Sequence, residues 1–133
     1  GGGDFSAEIG VALAWEPLLT ARQQLVLACA EAGVPAIDVP FIKLGDEAGL
    51  AEECAKARAL GFAAKAAIHP AQVPVIDAAF APSRAEINEA TEALRAFEEG
   101  GGRAMRHNGR MLEAPMVKQY RAVLARAKDG IDA

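Results

Sequence analysis

The 133-residue sequence predicts an α/β fold, the C-terminal part of a (β/α)8 TIM barrel followed by a helical C-terminal segment. Three observations carry that expectation. Helix and strand patterns alternate over residues 1–80 with short loops between them, as parallel βα units do. Asp4, Asp38 and His69 stand at the ends of successive strand patterns, where barrel active sites sit. After Pro82 the pattern becomes helical, so residues 81–133 read as a helical appendage with a small hairpin, separate from the barrel units of 1–80.

Gly1 to Phe5 reads as the end of a strand running into a loop. Trp15 to Ala32 reads as a long helix in which Leu18, Leu19, Leu25, Val26 and Cys29 form a broad buried stripe, with Gly33 as its stop. Pro35 to Phe41 is a short apolar strand whose prolines suit its ends. Asp46 is the expected cap of a helix through Leu60, and Gly61 ends it. Phe62 to Ile68 is a second buried strand with Lys65 as its one charge, and Pro70 begins a short helix to about Ala79. Ser83-Arg84-Ala85-Glu86 is a capping box for a helix to about Glu98, broken by Gly100-Gly101-Gly102. In the polar stretch Arg103 to Glu113, Asn108-Gly109 is a hairpin turn. The last helix is expected from Ala114 to Lys128, with Pro115 in its first turn and Gly130 past its end. Two or three parallel strands cannot close a barrel of about 250 residues, so further strands are expected upstream of Gly1.

Composition narrows the function classes. Apolar residues make up 52% of the chain, enough to exclude general disorder. A net charge of −4 without a clustered basic face argues against a nucleic-acid partner. No run of about 18 apolar residues exists, so no membrane helix is expected. The first residues lack the basic start and apolar stretch of a signal peptide. Cys29 and Cys54 lie in helical patterns and read as buried small hydrophobes, which suits a reduced, cytoplasmic setting.

Several residues are candidates for chemistry. Asp4, behind three glycines that allow close backbone approach, is either a hard-oxygen ligand for Mg²⁺ or an ordinary turn or N-cap aspartate. Asp38 carries the same ambiguity from inside a strand. His69 is a lone histidine whose alternative is a hydrogen-bonded structural role. A buried Lys65 must be paired or neutralised, and an ion pair with a carboxylate competes with a Schiff-base role. Pro40 and Phe41 line a pocket or pack in the core, while His107 in the hairpin is expected to be solvated.

The order of short motifs resembles the HpcH/HpaI aldolase and citrate lyase β-subunit-like family of CoA-ester lyases, which includes malyl-CoA and citramalyl-CoA lyases. The resemblance runs through Gly2-Gly3-Asp4-Phe5-Ser6-Ala7-Glu8-Ile9-Gly10, Ala36-Ile37-Asp38-Val39-Pro40-Phe41 and Asp46-Glu47-Ala48-Gly49-Leu50. It continues through Gly61-Phe62, Lys65-Ala66-Ala67-Ile68-His69-Pro70-Ala71-Gln72 and Phe80-Ala81-Pro82-Ser83, and closes with Asn108-Gly109-Arg110-Met111-Leu112-Glu113-Ala114-Pro115. It implies a Mg²⁺-dependent carbon–carbon lyase acting on a 3-hydroxyacyl-CoA, with a CoA thioester as substrate. Asp4 is then the metal ligand; Asp38, Pro40, Phe41, Ile68 and His69 shape the acyl-CoA site. The family's catalytic lid aspartate corresponds to Glu113, a departure that keeps the carboxylate but adds a methylene. The resemblance also implies that residues 81–133 are a helical C-terminal lid and oligomerisation segment of a homotrimer or hexamer, with the lid of one subunit over its neighbour's site. A glutamate that joins Asp4 on the metal and an arginine for the acyl group are expected upstream, so the isolated fragment is expected to be inactive. Two other readings stay open: a thioesterase on the same scaffold, and a non-catalytic CoA-binding or oligomer-forming piece.

Overall fold

The computed structural model describes residues 1–129. The first of its two units, Gly1–Phe80, runs α1 (Gly2–Glu8), α2 (Leu19–Ala32), β1 (Ile37–Asp38), α3 (Glu47–Leu60), β2 (Ala64–Lys65), a 3₁₀ turn at Pro70–Gln72 and α4 (Val73–Phe80). Local chemistry sets most of these boundaries. Asp46 accepts a hydrogen bond from the Gly49 amide at 2.9 Å and so caps α3. Gly33 and Gly61 end α2 and α3 in left-handed conformations.

β1 and β2 are parallel, with Ile37 opposite Ala64 and Asp38 opposite Lys65. The connection between them carries α3, the kind of crossover that a parallel pair needs. Two further bonds, Ala63 N–H to the Ala36 carbonyl (2.9 Å) and Ala66 N–H to the Asp38 carbonyl (3.0 Å), flank the paired residues. The paired strands are shorter than the apolar runs Pro35 to Phe41 and Phe62 to Ile68, with two residues of each in the ladder.

Gly1 to Phe5 is not a strand end. It opens α1, with the Phe5 N–H donating to the Gly1 carbonyl at 3.0 Å and the Ile9 N–H to Phe5 at 3.1 Å. The physical reason is hydrogen-bond supply. A strand borrows its partners from a neighbour, and Gly1 to Phe5 is in register with neither β1 nor β2. A helix satisfies its own backbone. Gly2 permits close packing there, since a Cβ on it would collide with the Val39 side chain.

The helix expected from Trp15 begins at Leu19, after turns. Its apolar stripe is incompletely covered: Leu18 is buried, Leu19, Val26 and Cys29 are half-buried, and Leu25 is 44% exposed. The buried residue of α2 is Arg22. Leu25 instead borders an open apolar hollow of about 350 Å³ with Phe5, Ile37 and Val39. The unit's core forms elsewhere, where Leu50, Cys54 and Ala57 on one face of α3 meet Phe62, Ile76 and Phe80. Cys54 is buried there as expected, and neither cysteine is in a disulfide.

The second unit begins at Ala81 and contains α5 (Arg84–Glu99), β3 (Met105–His107), β4 (Arg110–Leu112) and α6 (Ala114–Asp129). The capping box forms as expected: Ser83 Oγ accepts from the Glu86 amide at 3.2 Å, and the Glu86 carboxylate accepts from the Ser83 amide at 2.7 Å. β3 and β4 are antiparallel with His107 opposite Arg110, and Asn108 and Gly109 both take positive φ (46° and 78°) in the two-residue turn. Met105 and Leu112 turn inward onto a core built on Ala93 and Val117. His107 lies on the Met105 face of β3, and this overturns its expected solvation: its Nε2 is buried and has no hydrogen-bond partner. Gly130, expected just beyond the last helix, lies outside the described residues.

Candidate active site

The two parallel strands end in opposite charges. Asp38 closes β1 and Lys65 closes β2, and both side chains are withdrawn from solvent (1% and 0% exposed). Lys65 Nζ lies 2.7 Å from Asp38 Oδ2 and 2.6 Å from Glu53 Oε1 on α3. Arg22 on α2 completes the group, with Nε 2.8 Å from Asp38 Oδ1 and Nη2 3.3 Å from Glu53 Oε1. Two cations thus meet two carboxylates, and each oxygen of Asp38 has its own donor. Buried charge is tolerable only when paired and hydrogen-bonded in this way. The Arg22 Nη1 also donates to the carbonyls of Ala14 and Trp15 at 3.4 Å, tying the loop before α2 to the network.

Trp15 lies over the outer side of this cluster. Its ring centroid is 4.5 Å from the Arg22 guanidinium carbon and 5.8 Å from Lys56 Nζ, a cation–π arrangement. Trp15, Arg22, Pro40, Phe41, Glu53 and Lys56 border a cleft of about 220 Å³. On the core face of α3, burial pushes the Cys54 thiol up from its ordinary pKa, against a smaller lowering by Lys65. Cys54 therefore stays protonated and unreactive.

The loops leaving the two strands are joined. Pro40 and Phe41 follow β1 and are half-buried; Ile68 and His69 follow β2 and are exposed. The buried amide of Gln72 spans them, its Nε2 donating to the Phe41 carbonyl at 2.8 Å and its Oε1 accepting from the Ile68 amide at 2.9 Å. His69 Nδ1 accepts from the Ala71 amide at 3.2 Å and caps the 3₁₀ turn. The hydrogen-bonded structural role for His69 is thus observed. Lys65 likewise takes the ion-pair role rather than that of a free amine.

Asp4 stands in the first turn of α1 with its side chain 96% exposed. Among the described residues no group of three or more His, Cys, Asp or Glu side chains is arranged to hold a metal ion. Asp4 alone supplies one hard oxygen, which fits Mg²⁺, an ion that takes one or two protein carboxylates and keeps several waters. Glu113 lies exposed in the second unit, between β4 and α6, where its carbonyl accepts from the Val117 amide at 3.0 Å. In the first unit, Gln72 joins the segments that carry Phe41 and Ile68, while Pro40 and Phe41 border one cleft, His69 a second and Asp38 the open apolar hollow.

Arg22, Glu53 and Gln72 were not among the expected site residues. Arg22 carried a signal, as a lone cation inside the apolar stretch Leu18 to Cys29. Glu53 lies in a run of charges on α3 and carried none.

Comparison with known proteins places this arrangement in context. A model of the C–C bond lyases of the TIM-barrel fold matches residues 14–129. The mitochondrial citramalyl-CoA lyase of Homo sapiens is 39% identical over 90% of this chain, which spans 36% of that protein. The citrate lyase subunit beta of Haemophilus influenzae is 33% identical over 86% of this chain and 40% of its own length. The crystal structure of CitE from Mycobacterium tuberculosis, in complex with magnesium, acetoacetate and coenzyme A, superposes with a TM-score of 0.81 at 29% identity. That match covers 92% of this chain and 48% of the other.

Proposed function

Because the chain belongs to the C–C bond lyases of the TIM-barrel fold, we propose that it contributes to a Mg²⁺-dependent CoA-ester lyase. Its substrate is a 3-hydroxyacyl-CoA of the citramalyl-CoA, malyl-CoA or citryl-CoA type, cleaved to an acyl-CoA and an oxo acid. One observation carries this reading. The loops Pro40–Phe41 and Ile68–His69 leave parallel strands at their C-terminal ends, joined by Gln72 above a neutral buried charge cluster. That is the end of a barrel strand pair where active sites are built.

Each residue then has a task. Asp38 has both carboxylate oxygens engaged, so it serves the substrate by holding the strand end rather than by reaching out. Pro40 and Phe41 offer apolar surface to the acyl group, and the backbone of Ile68 and His69 faces the CoA portion. Asp4 would hold Mg²⁺, which when bound polarises the substrate oxygens and lowers the pKa of the hydroxyl. As that proton leaves to solvent, the Cα–Cβ bond breaks and its electron pair moves into the thioester as an enolate. Glu113 delivers a proton to the α-carbon and recovers one from solvent. The same reading makes the protein a cytoplasmic homotrimer or hexamer, in which the Glu113 segment covers a neighbour's site.

Product analysis of the full-length protein tests the reading. With Mg²⁺ and citramalyl-CoA or malyl-CoA, the expected products are an oxo acid and acetyl-CoA in equal amounts. Free citramalate or malate without any oxo acid would sink the lyase and leave the thioesterase.

A further inference from the structure

We infer that Gln72 is a positioning residue that locks the two strand-end loops into one wall for the acyl-CoA; the inference rests on the functional reading above. Its side chain is buried, and both ends of its amide are used in opposite senses. The Nε2 needs an acceptor and finds the Phe41 carbonyl; the Oε1 needs a donor and finds the Ile68 amide. These two partners fix the orientation of the amide without ambiguity. They also lie on opposite loops, 31 residues and 4 residues away along the chain.

The anchor of the clamp is itself fixed. The Gln72 N–H donates to the His69 carbonyl at 3.0 Å, and His69 Nδ1 caps the same turn. His69 thus contributes through its backbone and its cap, leaving the exposed Ile68 side chain as the projecting part of that loop. The strand ends do not need Gln72, because Asp38, Lys65, Arg22 and Glu53 hold them. Beyond the strands the loops are surface segments, free to move independently unless something joins them. No other side chain type serves as well. Glutamate keeps the acceptor but loses the donor, methionine loses both, and asparagine is a methylene shorter.

Without the clamp, the Phe41 carbonyl and Ile68 amide lose their partner, and a ligand must order both loops as it binds. The clamp's two hydrogen bonds go to Phe41 and Ile68 and to no group proposed to act on the reacting bond, so its loss falls on binding and not on the bond-breaking step.

The test uses the full-length protein with Gln72→Met and Gln72→Glu, the first keeping bulk without polarity and the second keeping the acceptor alone. Four quantities are read: KM and kcat for the cleaved acyl-CoA, the calorimetric Kd for CoA, and hydrogen exchange at the Ile68 amide. Gln72→Met is expected to raise KM and Kd about tenfold with kcat within about twofold, and to speed exchange at Ile68. Gln72→Glu, which retains the acceptor for Ile68, is expected to exchange more slowly than Gln72→Met. A merely structural residue would lower kcat through lost active protein and leave KM unchanged, and that result overturns the inference. Variants that bind CoA as tightly as wild type overturn it too. A wild-type protein with no affinity for CoA thioesters instead removes the functional reading, and this inference with it.

Discussion

Asp38 and Lys65 meet twice, as register partners across the parallel strands and through an Nζ–Oδ2 contact of 2.7 Å. The ladder places them side by side on one face, and their charges fill that face. Removing the anion strands two buried cations with Glu53 alone between them. Asp38→Ala is therefore expected to destabilise the protein by about 3–5 kcal/mol, read from urea unfolding. The double variant Asp38→Ala/Lys65→Met should cost less than the sum of the two single changes. Strict additivity would show that the pair is not coupled.

Asp4→Ala should act in the opposite way. Its side chain is almost wholly exposed and supports no packing, so unfolding temperature should barely move. Mg²⁺-dependent turnover of the full-length enzyme should disappear. Unchanged activity together with unchanged Mg²⁺ affinity, measured by titration calorimetry, would take Asp4 out of the site.

Glu113 and Asp4 are proposed to serve one site from different subunits. Glu113→Gln and Asp4→Ala proteins should each be inactive alone. Mixed, unfolded and reassembled together, they should regain a fraction of wild-type activity, because some sites then combine an intact Asp4 with an intact Glu113. No recovery in mixed oligomers would count against the exchange of the lid between neighbours.

In the second unit, Tyr120 Oη donates to Glu89 Oε1 at 3.0 Å. Burial first, and this hydrogen bond second, push its phenol above the ordinary value of 10.0. A group whose folded pKa is raised adds stability in full below its unfolded pKa and loses it as pH rises through the folded value. Thermal unfolding should thus show an alkaline loss of stability that begins near pH 10. Tyr120→Phe should lower stability at neutral pH and flatten that alkaline slope. A slope identical to that of wild type would show that the phenol is not coupled to folding.

Much of the chain was legible because its signals are local. Asp46, the Ser83–Glu86 box and the Asn108-Gly109 turn each act within four residues, and each does what its chemistry dictates. Lys65 was legible for a different reason, since a lysine inside an apolar strand must find a carboxylate. What failed was whatever depends on distant chain. Gly1 to Phe5 has the composition of a strand end, yet strand or helix is decided by whether a neighbour offers hydrogen bonds. Leu25 looked internal because periodicity records which face is apolar, not whether anything covers it. Arg22 and Glu53 join Asp38 across 16 residues of chain in one case and through Lys65 in the other, distances that no local pattern encodes. Gln72 stood within a quoted motif, but its task became visible only once Phe41 and Ile68 were seen on either side of it.

The stacking of Arg22 and Lys56 on Trp15 has an optical consequence. Trp15 is the one tryptophan in this sequence, and it borders both the cleft and the buried charge cluster. Its indole emission responds to the cations on its face, so the colour and intensity of that fluorescence report how the cleft is filled. The fold thus carries its own lamp at the position an experimenter would choose for a dye, and ligand entry can be followed without labelling this part of the molecule.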